Sequence, residues 1–240
     1  MFRLAARQLG KCIIRLSFRQ KAIDIAPLDK RGWLSEQPDT FREWVAAVAR
    51  WRDYDDGQIV YQAGDESDGL YGLASGGLDI GFPLIADEQV TIYRAEIGFW
   101  IGDSAILADS ARTLSLTAAT PARVLALPAA AIRRLLADHP QDWPSFAALA
   151  HRNGTMAIRA LGEVLALPPR ARFARLLLRI ADAEGRVRAT QEELGRLAGM
   201  SRAAFRRAFA DLIAAGVVEM EYAGLIILDR TALQAEADRR

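Results

Sequence analysis

Residues 57–128 alternate apolar and polar side chains in short stretches separated by glycine, and this pattern constrains the fold most strongly. The stretch TLSLTA, residues 113–118, is apolar at every second position. A period of two, with turn residues about every ten positions, is typical of antiparallel strands in a sandwich or barrel. Gly64-Asp65 and Gly76-Gly77 fit tight turns, because glycine readily adopts positive φ. The sequence therefore predicts a compact antiparallel β structure here.

A helix is predicted over 38–52, where apolar side chains recur at intervals of three and four, and further helices follow the strands. Residues 129–138 and about 143–166 repeat apolar side chains at intervals of three and four, as an amphipathic helix does. The second segment presents more apolar surface than a small sandwich can cover, so we expect a partner helix from a second copy of the chain. Pro168-Pro169 cannot continue this helix and mark the clearest domain boundary, beyond which a further helix is predicted over 170–184.

The part of the chain after residue 184 predicts a winged helix-turn-helix. Thr190 occupies an N-cap position with Glu193 three residues later, and this arrangement is a capping box. Gly199 makes the turn between two helices, and Ser201 caps the second. A short hairpin over 217–228 completes the pattern of helix, turn, capped helix and wing.

The second helix of this motif has two unlike faces on a helical wheel. One face is apolar and consists of Ala204, Phe205, Ala208, Phe209 and Leu212. The opposite face carries Arg202, Arg206 and Arg207, and an arginine can donate two hydrogen bonds to guanine O6 and N7. Thr190 and Ser201 place hydroxyls and helix N-termini where phosphates pass. We therefore predict that these three arginines and two hydroxyl residues contact double-stranded DNA, although a solvated basic face would look similar.

Charge is divided unevenly along the 240 residues. The net charge is +6 over residues 1–31, −8 over 32–168 and +3 over 169–240. An acidic body is a poor platform for a phosphate backbone, whereas a basic C-terminal part suits one. Residues 1–30 are interpreted as an N-terminal extension, either poorly ordered or a basic arm that touches nucleic acid or membrane.

Composition excludes several kinds of chemistry. The single cysteine, Cys12, cannot form an intrachain disulfide and cannot build an iron–sulfur or cysteine-rich zinc site. His139 and His151 have no second histidine or cysteine near them, and no glycine-rich phosphate loop is present. We therefore expect no metal and no enzyme activity. Since no apolar run approaches the roughly 20 residues that span a bilayer, we expect a cytoplasmic protein without a membrane partner.

The stretch GDSAILADSART, residues 102–113, places Asp103 and Arg112 nine residues apart around an apolar run. Two interpretations remain open at this point. The two charges could form a surface ion pair, which contributes little to stability. Alternatively, the arginine could hold a small anionic ligand while the carboxylate binds a hydroxyl group on it.

Several stretches together resemble the CRP/FNR superfamily of bacterial transcription regulators. They are QAGD, LYGLASGGLDI, GFWIGDSAIL with its following ART, and TQEELGRLAGMSRAAFRRAFADL. The resemblance implies an α+β fold with an N-terminal double-stranded β-helix or jelly-roll sensor domain over 31–138. A dimerisation helix over 139–168 and a winged helix-turn-helix DNA-binding domain over 169–240 would follow.

In the cyclic-nucleotide-binding members, the stretch similar to GDSAILADSART is a phosphate-binding cassette. There the arginine pairs with the cyclic phosphate, and a glutamate binds the ribose 2′-hydroxyl. The resemblance thus implies that Gly102, Asp103, Ser104, Arg112 and Thr113 bind a ligand, with cyclic AMP or another cyclic nucleotide as the candidate. Asp103 is one methylene shorter than the usual glutamate, and Ser104 replaces the usual apolar residue.

The same resemblance assigns Arg202 and Arg207 to base-reading positions, with Ala203 where an acidic base reader often stands. It implies a homodimer bound to a pseudo-palindromic operator, with RNA polymerase as a candidate partner. Two alternatives are kept. One is a ligand-independent regulator with a vestigial nucleotide pocket, and the other is a nucleotide-binding module that acts through protein contacts.

Overall fold

The computed structural model describes residues 22–85, 88–222 and 224–239. Its α-helices are α1 (Asp39–Val48), α2 (Asp103–Leu107), α3 (Ala129–Asp138), α4 (Trp143–Ala166), α5 (Pro169–Ile180), α6 (Gln191–Leu197), α7 (Arg202–Ala214) and α8 (Arg230–Ala237). Its strands are β1 (Arg50–Tyr54), β2 (Ile59–Tyr61), β3 (Gly69–Ile85), β4 (Glu88–Ala95), β5 (Trp100–Ile101), β6 (Ser115–Pro128), β7 (Arg186–Val187), β8 (Val218–Glu221) and β9 (Gly224–Ile227). Short 3-10 helices cover Trp33–Glu36 and Pro140–Asp142.

An antiparallel sheet built on β3 and β6 forms the N-terminal part. Strand β6 pairs with β1, β2 and β3, and β3 also pairs with β4 and β5. The β3–β6 register shifts three times between Leu73 and Leu78, so the two long strands bend. Gly76 lies at this bend with φ +81°, and a Cβ there would fall 2.2 Å from the carbonyl oxygen of Pro121. The bend lets one sheet curl around its own apolar side chains.

Two apolar clusters stabilise this part of the chain. One fills the inside of the curled sheet, and the other lies between the sheet, α1, α3 and the start of α4. In the second cluster the ring of Trp33 contacts Trp100 and Phe146 at centroid distances of 5.3 and 5.8 Å. Ile25 and Leu28 are buried in the same cluster, so the core reaches into the predicted extension before residue 31.

The helix predicted over 38–52 is shorter than expected. Helix α1 ends at Val48, and Arg50–Tyr54 form strand β1, whose first residue lies opposite Ala126 of β6. The Trp51 indole also donates a hydrogen bond of 2.9 Å to the carbonyl oxygen of Asp24. Pairing with β6 satisfies the backbone of this segment, so tertiary context outweighs its helical pattern.

The C-terminal part has a separate core formed by α5 to α8 and the sheet β7–β9–β8. Helix α5 ends at Ile180, four residues before the predicted end at 184. The carboxylate of Asp182 accepts the backbone N–H groups of Glu184 and Arg186, and this turn leads into β7. Strands β8 and β9 form the hairpin that the sequence predicted as the wing.

The mixture of an antiparallel sheet domain with helical units confirms the predicted α+β fold class. Helix α4 matches the long helix predicted over 143–166. The domain boundaries at 31, 139 and 169 stay predictions. No helix among the residues that the structure describes is long and apolar enough to cross a membrane.

Candidate ligand pocket and nucleic-acid interface

The predicted cassette is built around Gly102, which precedes α2. Gly102 is buried and has φ +108°, a backbone conformation that other residues rarely adopt. A Cβ at this position would lie 2.5 Å from Nη1 of Arg112 and 2.7 Å from the carbonyl oxygen of Gly69. Glycine is therefore required for the backbone to approach the arginine so closely.

Arg112 is buried at the centre of the pocket. Its Nη2 donates to Oδ1 of Asp68 at 2.8 Å and to the carbonyl oxygen of Gly69 at 2.7 Å. The guanidinium also lies over the ring of Tyr61, 4.1 Å from the centroid, a distance that fits a cation–π contact. Its Nε and Nη1 are buried without a hydrogen-bond partner. The guanidinium thus keeps donors that an anion could satisfy.

Asp68 is the carboxylate that pairs with Arg112. Its other oxygen accepts a hydrogen bond of 2.6 Å from the hydroxyl of Tyr71, and Arg52 lies 3.9 Å away. Burial alone would raise the pKa of Asp68, but the hydrogen bonds from Tyr71 and Arg112 outweigh it and hold the pKa below its ordinary value. Asp68 therefore stays ionised, and its charge at Nη2 of Arg112 would compete with an anionic ligand for the guanidinium.

Asp103 does not pair with Arg112, so the surface ion pair considered from the sequence is wrong. Its Oδ1 instead accepts a hydrogen bond of 2.8 Å from Asn153 of α4, which also donates to the carbonyl oxygen of Trp100. Burial is the largest influence on Asp103 and raises its pKa above the ordinary value, despite the hydrogen bonds that favour ionisation. Asp103 thereby connects the cassette to the long helix.

The structure brings together only part of the predicted ligand set. Gly102, Asp103 and Arg112 are buried, whereas Ser104 and Thr113 are exposed. The sequence did not indicate the other members of the pocket, which are Tyr61, Asp68, Tyr71 and Asn153. Asp68 lies in the loop before β3, and its pairing with Arg112 spans 44 residues. A carboxylate in a turn was the available signal, but no partner for it is visible in the local sequence.

The helix-turn-helix caps are formed as predicted. In α6 the Thr190 hydroxyl oxygen accepts the N–H of Glu193, and the carboxylate of Glu193 accepts the N–H of Thr190 at 2.7 Å. In α7 the Ser201 hydroxyl oxygen accepts the N–H of Ala204 at 3.3 Å. Both cap residues are exposed, and Gly199 makes the turn between the helices with φ +60°.

Helix α7 separates an apolar face from a cationic face. Its buried residues are Phe205, Ala208, Phe209 and Leu212, and the two phenylalanine rings also contact Phe173 of α5. Arg202, Arg206 and Arg207 are exposed. In the part of the chain that the structure describes, none of these three arginines pairs with a carboxylate. Three cations are therefore available on one helical surface.

Helix α4 carries an apolar stripe on its outer side. Gly154, Ile158, Leu161 and Leu165 follow intervals of four, three and four residues, and all are exposed. A repeat of this kind is typical of the seam between two packed helices. The described residues contain no group of three histidine, cysteine or acidic side chains that could hold a metal ion.

Two segments of the chain match models of known protein families. A cyclic nucleotide-binding domain model matches residues 51–139, and a Crp-like helix-turn-helix domain model matches residues 171–236. The first match contains Arg112 and the other pocket residues except Asn153, and the second contains α6 and α7.

Individual proteins agree with these matches. The chain is 27% identical over 196 residues to the CRP-like cAMP-activated global transcriptional regulator of Mycobacterium tuberculosis, covering 77% of this chain and 87% of that protein. A CRP-family transcriptional regulator from Thermus thermophilus has a similar structure, with a TM-score of 0.64 at 23% identity over 78% of this chain and 97% of that one. The c-di-GMP responsive global regulator CLP of Xanthomonas campestris gives 0.63 at 19% identity, over 80% and 100%. The chain belongs to the CRP/FNR superfamily of transcription regulators.

Proposed function

We propose that this regulator binds DNA as a homodimer and that a small anionic ligand in the sensor domain modulates its DNA affinity. The cationic face of α7 is the observation that carries the DNA part. Three exposed arginines stand opposite a buried phenylalanine face on the second helix of a helix-turn-helix, which is the helix that enters the major groove.

The five predicted DNA residues are assigned separate roles. Arg202 and Arg207 read base edges, and Arg206 contacts a phosphate. Thr190 and Ser201 stand at helix N-termini, where a hydroxyl and the helix dipole both favour a phosphate. A bidentate arginine–guanine contact discriminates against a wrong base by about 1–3 kcal/mol.

These roles predict different losses for two neighbouring arginines. Arg207→Ala should reduce the preference for the best sequence, because a base contact is lost. Arg206→Ala should weaken all sequences alike and lower the slope of log affinity against log salt by about one. Fluorescence anisotropy with specific and scrambled duplexes at several salt concentrations measures both. An equal loss of discrimination in the two variants would refute the assignment.

The homodimer is proposed from the outer stripe of α4. Ile158, Leu161 and Leu165 expose apolar side chains at coiled-coil intervals, and a second copy of the same helix offers a self-complementary cover. A two-fold dimer places two copies of α7 on half-sites about 34–36 Å apart, which matches a pseudo-palindromic operator. RNA polymerase is a further candidate partner, and a DNA-bound regulator of this kind works in the cytoplasm.

The ligand is proposed to bind beside Arg112. Two of the arginine's nitrogens are buried without a hydrogen-bond partner, and this observation fits a phosphate oxygen at the site. Cyclic AMP is the first candidate, because a Mycobacterium tuberculosis relative is named as cAMP-activated. Asp103, whose Oδ1 bonds to Asn153, would accept a hydrogen bond from a ribose hydroxyl. No catalytic role is proposed.

This arrangement provides a route from the ligand to the DNA-binding domain. An anion that displaces Asp68 from Arg112 lets the arginine shift against the closely packed backbone of Gly102, the residue before Asp103. Since Asp103 is bonded to Asn153, such a shift bears on α4 directly. Helix α4 leads into α5 through Leu167 and Pro168, so its displacement changes the setting of both recognition helices in a dimer.

The pairing of Asp68 with Arg112 favours a second candidate function. The carboxylate already neutralises the arginine, as it would in a ligand-independent regulator whose pocket is closed. Thermal unfolding with cyclic AMP and cyclic GMP distinguishes the two. Ligand at a hundred times its Kd should add about 2.7 kcal/mol of stability, a shift of roughly 5–10 °C that Arg112→Ala abolishes. No shift with either nucleotide favours the closed pocket.

A third alternative, a nucleotide-binding module that acts only through protein contacts, is tested by DNA titration. That function predicts no preference for any duplex. The exposed arginines of α7 argue against a function through protein contacts alone. Such a function does not require three exposed cations on the side of α7 opposite its packed face.

A further inference from the structure

The sensor sheet contacts the helix-turn-helix through adjacent residues of β4. Arg94 bonds to Glu193 of α6, and the ring of Tyr93 lies under the guanidinium of Arg179 of α5 at 4.5 Å. The two contacts are reciprocal, because each domain supplies one cation and one electron-rich partner. They connect parts of the chain that are up to 99 residues apart in sequence.

Arg94 is held rigidly on the sheet. Its Nε and Nη2 donate to the two oxygens of Asp79 at 2.6 and 2.9 Å, and Asp79 lies directly opposite it on β3. The Arg94 side chain is 6% exposed. Its Nη2 also donates to Oε1 of Glu193 at 3.1 Å. A bidentate pair fixes the guanidinium plane, so the donor that faces α6 is already oriented.

Glu193 has two functions at the start of α6. One carboxylate oxygen closes the capping box with Thr190, and the other accepts from Arg94. Burial alone would raise the pKa of Glu193, but hydrogen bonds from Thr190 and Arg94 outweigh it and hold the pKa below its ordinary value. The sheet therefore bonds to a residue in the first turn of the first helix of the DNA-binding motif.

A second attachment joins the same domain to α4. Arg172 of α5 donates to the carbonyl oxygens of Val164 in α4 and Gly199 in the turn, at 3.0 and 3.1 Å. A domain held only at this junction could still rotate about it. Attachment to β4 at a second point removes that rotation.

We propose that Arg94 and Glu193 form an interdomain clamp that fixes the orientation of the helix-turn-helix on the sensor domain. Arg94 is a positioning residue, and the inference rests on the proposed DNA-binding function. With the clamp closed, Arg202, Arg206 and Arg207 remain exposed. DNA can therefore reach α7 in the clamped arrangement. Because the clamp already holds the domain in place, less conformational entropy is lost when the dimer binds two half-sites.

Loss of the clamp should change how well the dimer tolerates an altered half-site spacing, whereas loss of a merely stabilising contact should not. A rigid dimer accepts one half-site spacing, whereas a dimer with freely rotating domains tolerates others. Adding one base pair rotates one half-site by about a tenth of a helical turn relative to the other. The penalty for altered spacing therefore reports the rigidity of the domain attachment.

The test uses the full-length protein and a duplex that it selects from a random pool, together with versions lengthened or shortened by one base pair between half-sites. Arg94→Gln and Glu193→Gln each remove the ion pair, and glutamine at position 193 can still close the capping box. Arg123→Gln removes an exposed arginine on β6 that pairs only within the sensor domain.

We expect the wild type and Arg123→Gln to lose on the order of tenfold in affinity when the spacing changes. Arg94→Gln and Glu193→Gln should lose about threefold or less, and the double variant should match the single ones because the two side chains form one interaction. Their binding at the best spacing should weaken, while binding to scrambled duplex stays the same. Unchanged spacing penalties in both variants, or tighter binding at the best spacing, would overturn the proposal.

Hydrogen exchange keeps this test independent of the proposed function. The peptides covering β4 and α6 should exchange faster in Arg94→Gln than in Arg123→Gln, while those within α7 should be unchanged. If the wild type selects no duplex but the exchange difference is present, the DNA-binding function fails and the clamp survives as a domain contact. Equal exchange in the two variants would refute the clamp itself.

Discussion

Replacing Asp68 with asparagine should lower the stability of the free protein and strengthen the binding of an anion beside Arg112. The amide keeps the size of the side chain but only one oxygen, so it can accept from Tyr71 or from Arg112, which now donate to different oxygens. What it removes is the negative charge 2.8 Å from a guanidinium that is almost completely buried. The two effects have opposite signs, so they can be separated.

The magnitude follows from the exposure of the two partners. An exposed ion pair contributes about 0–1 kcal/mol, and breaking a fully buried one costs roughly 3–5 kcal/mol. The side chain of Arg112 is 2% exposed but that of Asp68 is 52% exposed, so solvent screens the pair. We therefore expect a loss of about 1–2 kcal/mol, which lowers Tm by roughly 2–8 °C. If Asp68 competes with the anion for Arg112 by the same free energy, removing its charge should increase anion affinity about fivefold to thirtyfold.

Scanning calorimetry and titration with cyclic AMP and inorganic phosphate measure the two effects. Glu66→Gln is the matched control, because it removes an exposed charge from the same loop. The folded pKa of Asp68 is lowered, so its contribution is present above the ordinary carboxyl pKa and disappears as pH falls through the folded pKa. The stability difference between Asp68→Asn and wild type should therefore vanish in acid. Weaker or unchanged binding of both anions by Asp68→Asn would refute the competition.

Three other substitutions test separate parts of the account. Gly102→Ala should cost at least about 1–3 kcal/mol, measured by urea unfolding, because positive φ and the nearby Gly69 carbonyl both oppose a methyl group. Leu161→Asp should convert the dimer to monomers in analytical ultracentrifugation, since it places a charge in the proposed seam. Asp103→Asn should gain stability relative to wild type as pH rises through the carboxyl range, because only wild type must then ionise a carboxyl whose folded pKa is raised. A loss that is equal at every pH would contradict this cause.

The helix-turn-helix was predictable because its signals are local. The capping box of Thr190 and Glu193 and the apolar face of Phe205 and Phe209 are set by spacings of three and four residues. Such patterns depend on helix geometry alone. The structure confirms both patterns.

The sensor pocket was only partly predictable because its contacts are distant in sequence. Arg112 and Asp103 were identified, but their partners Asp68 and Asn153 lie 44 and 50 residues away. Nothing in the periodicity of the chain joins those positions. Strand β1 was missed for the same reason, since its pairing with β6 is what overrides the helical pattern of residues 50–52.

One titration tests directly whether the protein is a dimer that binds DNA sequence-specifically and in response to a ligand. The full-length protein is titrated against duplexes from its own upstream region and against scrambled duplexes, with and without saturating cyclic AMP. We expect the protein to prefer one duplex and cyclic AMP to change its affinity for that duplex. Arg112→Ala should lose the response to cyclic AMP but keep the preference. Equal binding to all duplexes, with and without the nucleotide, would contradict the account.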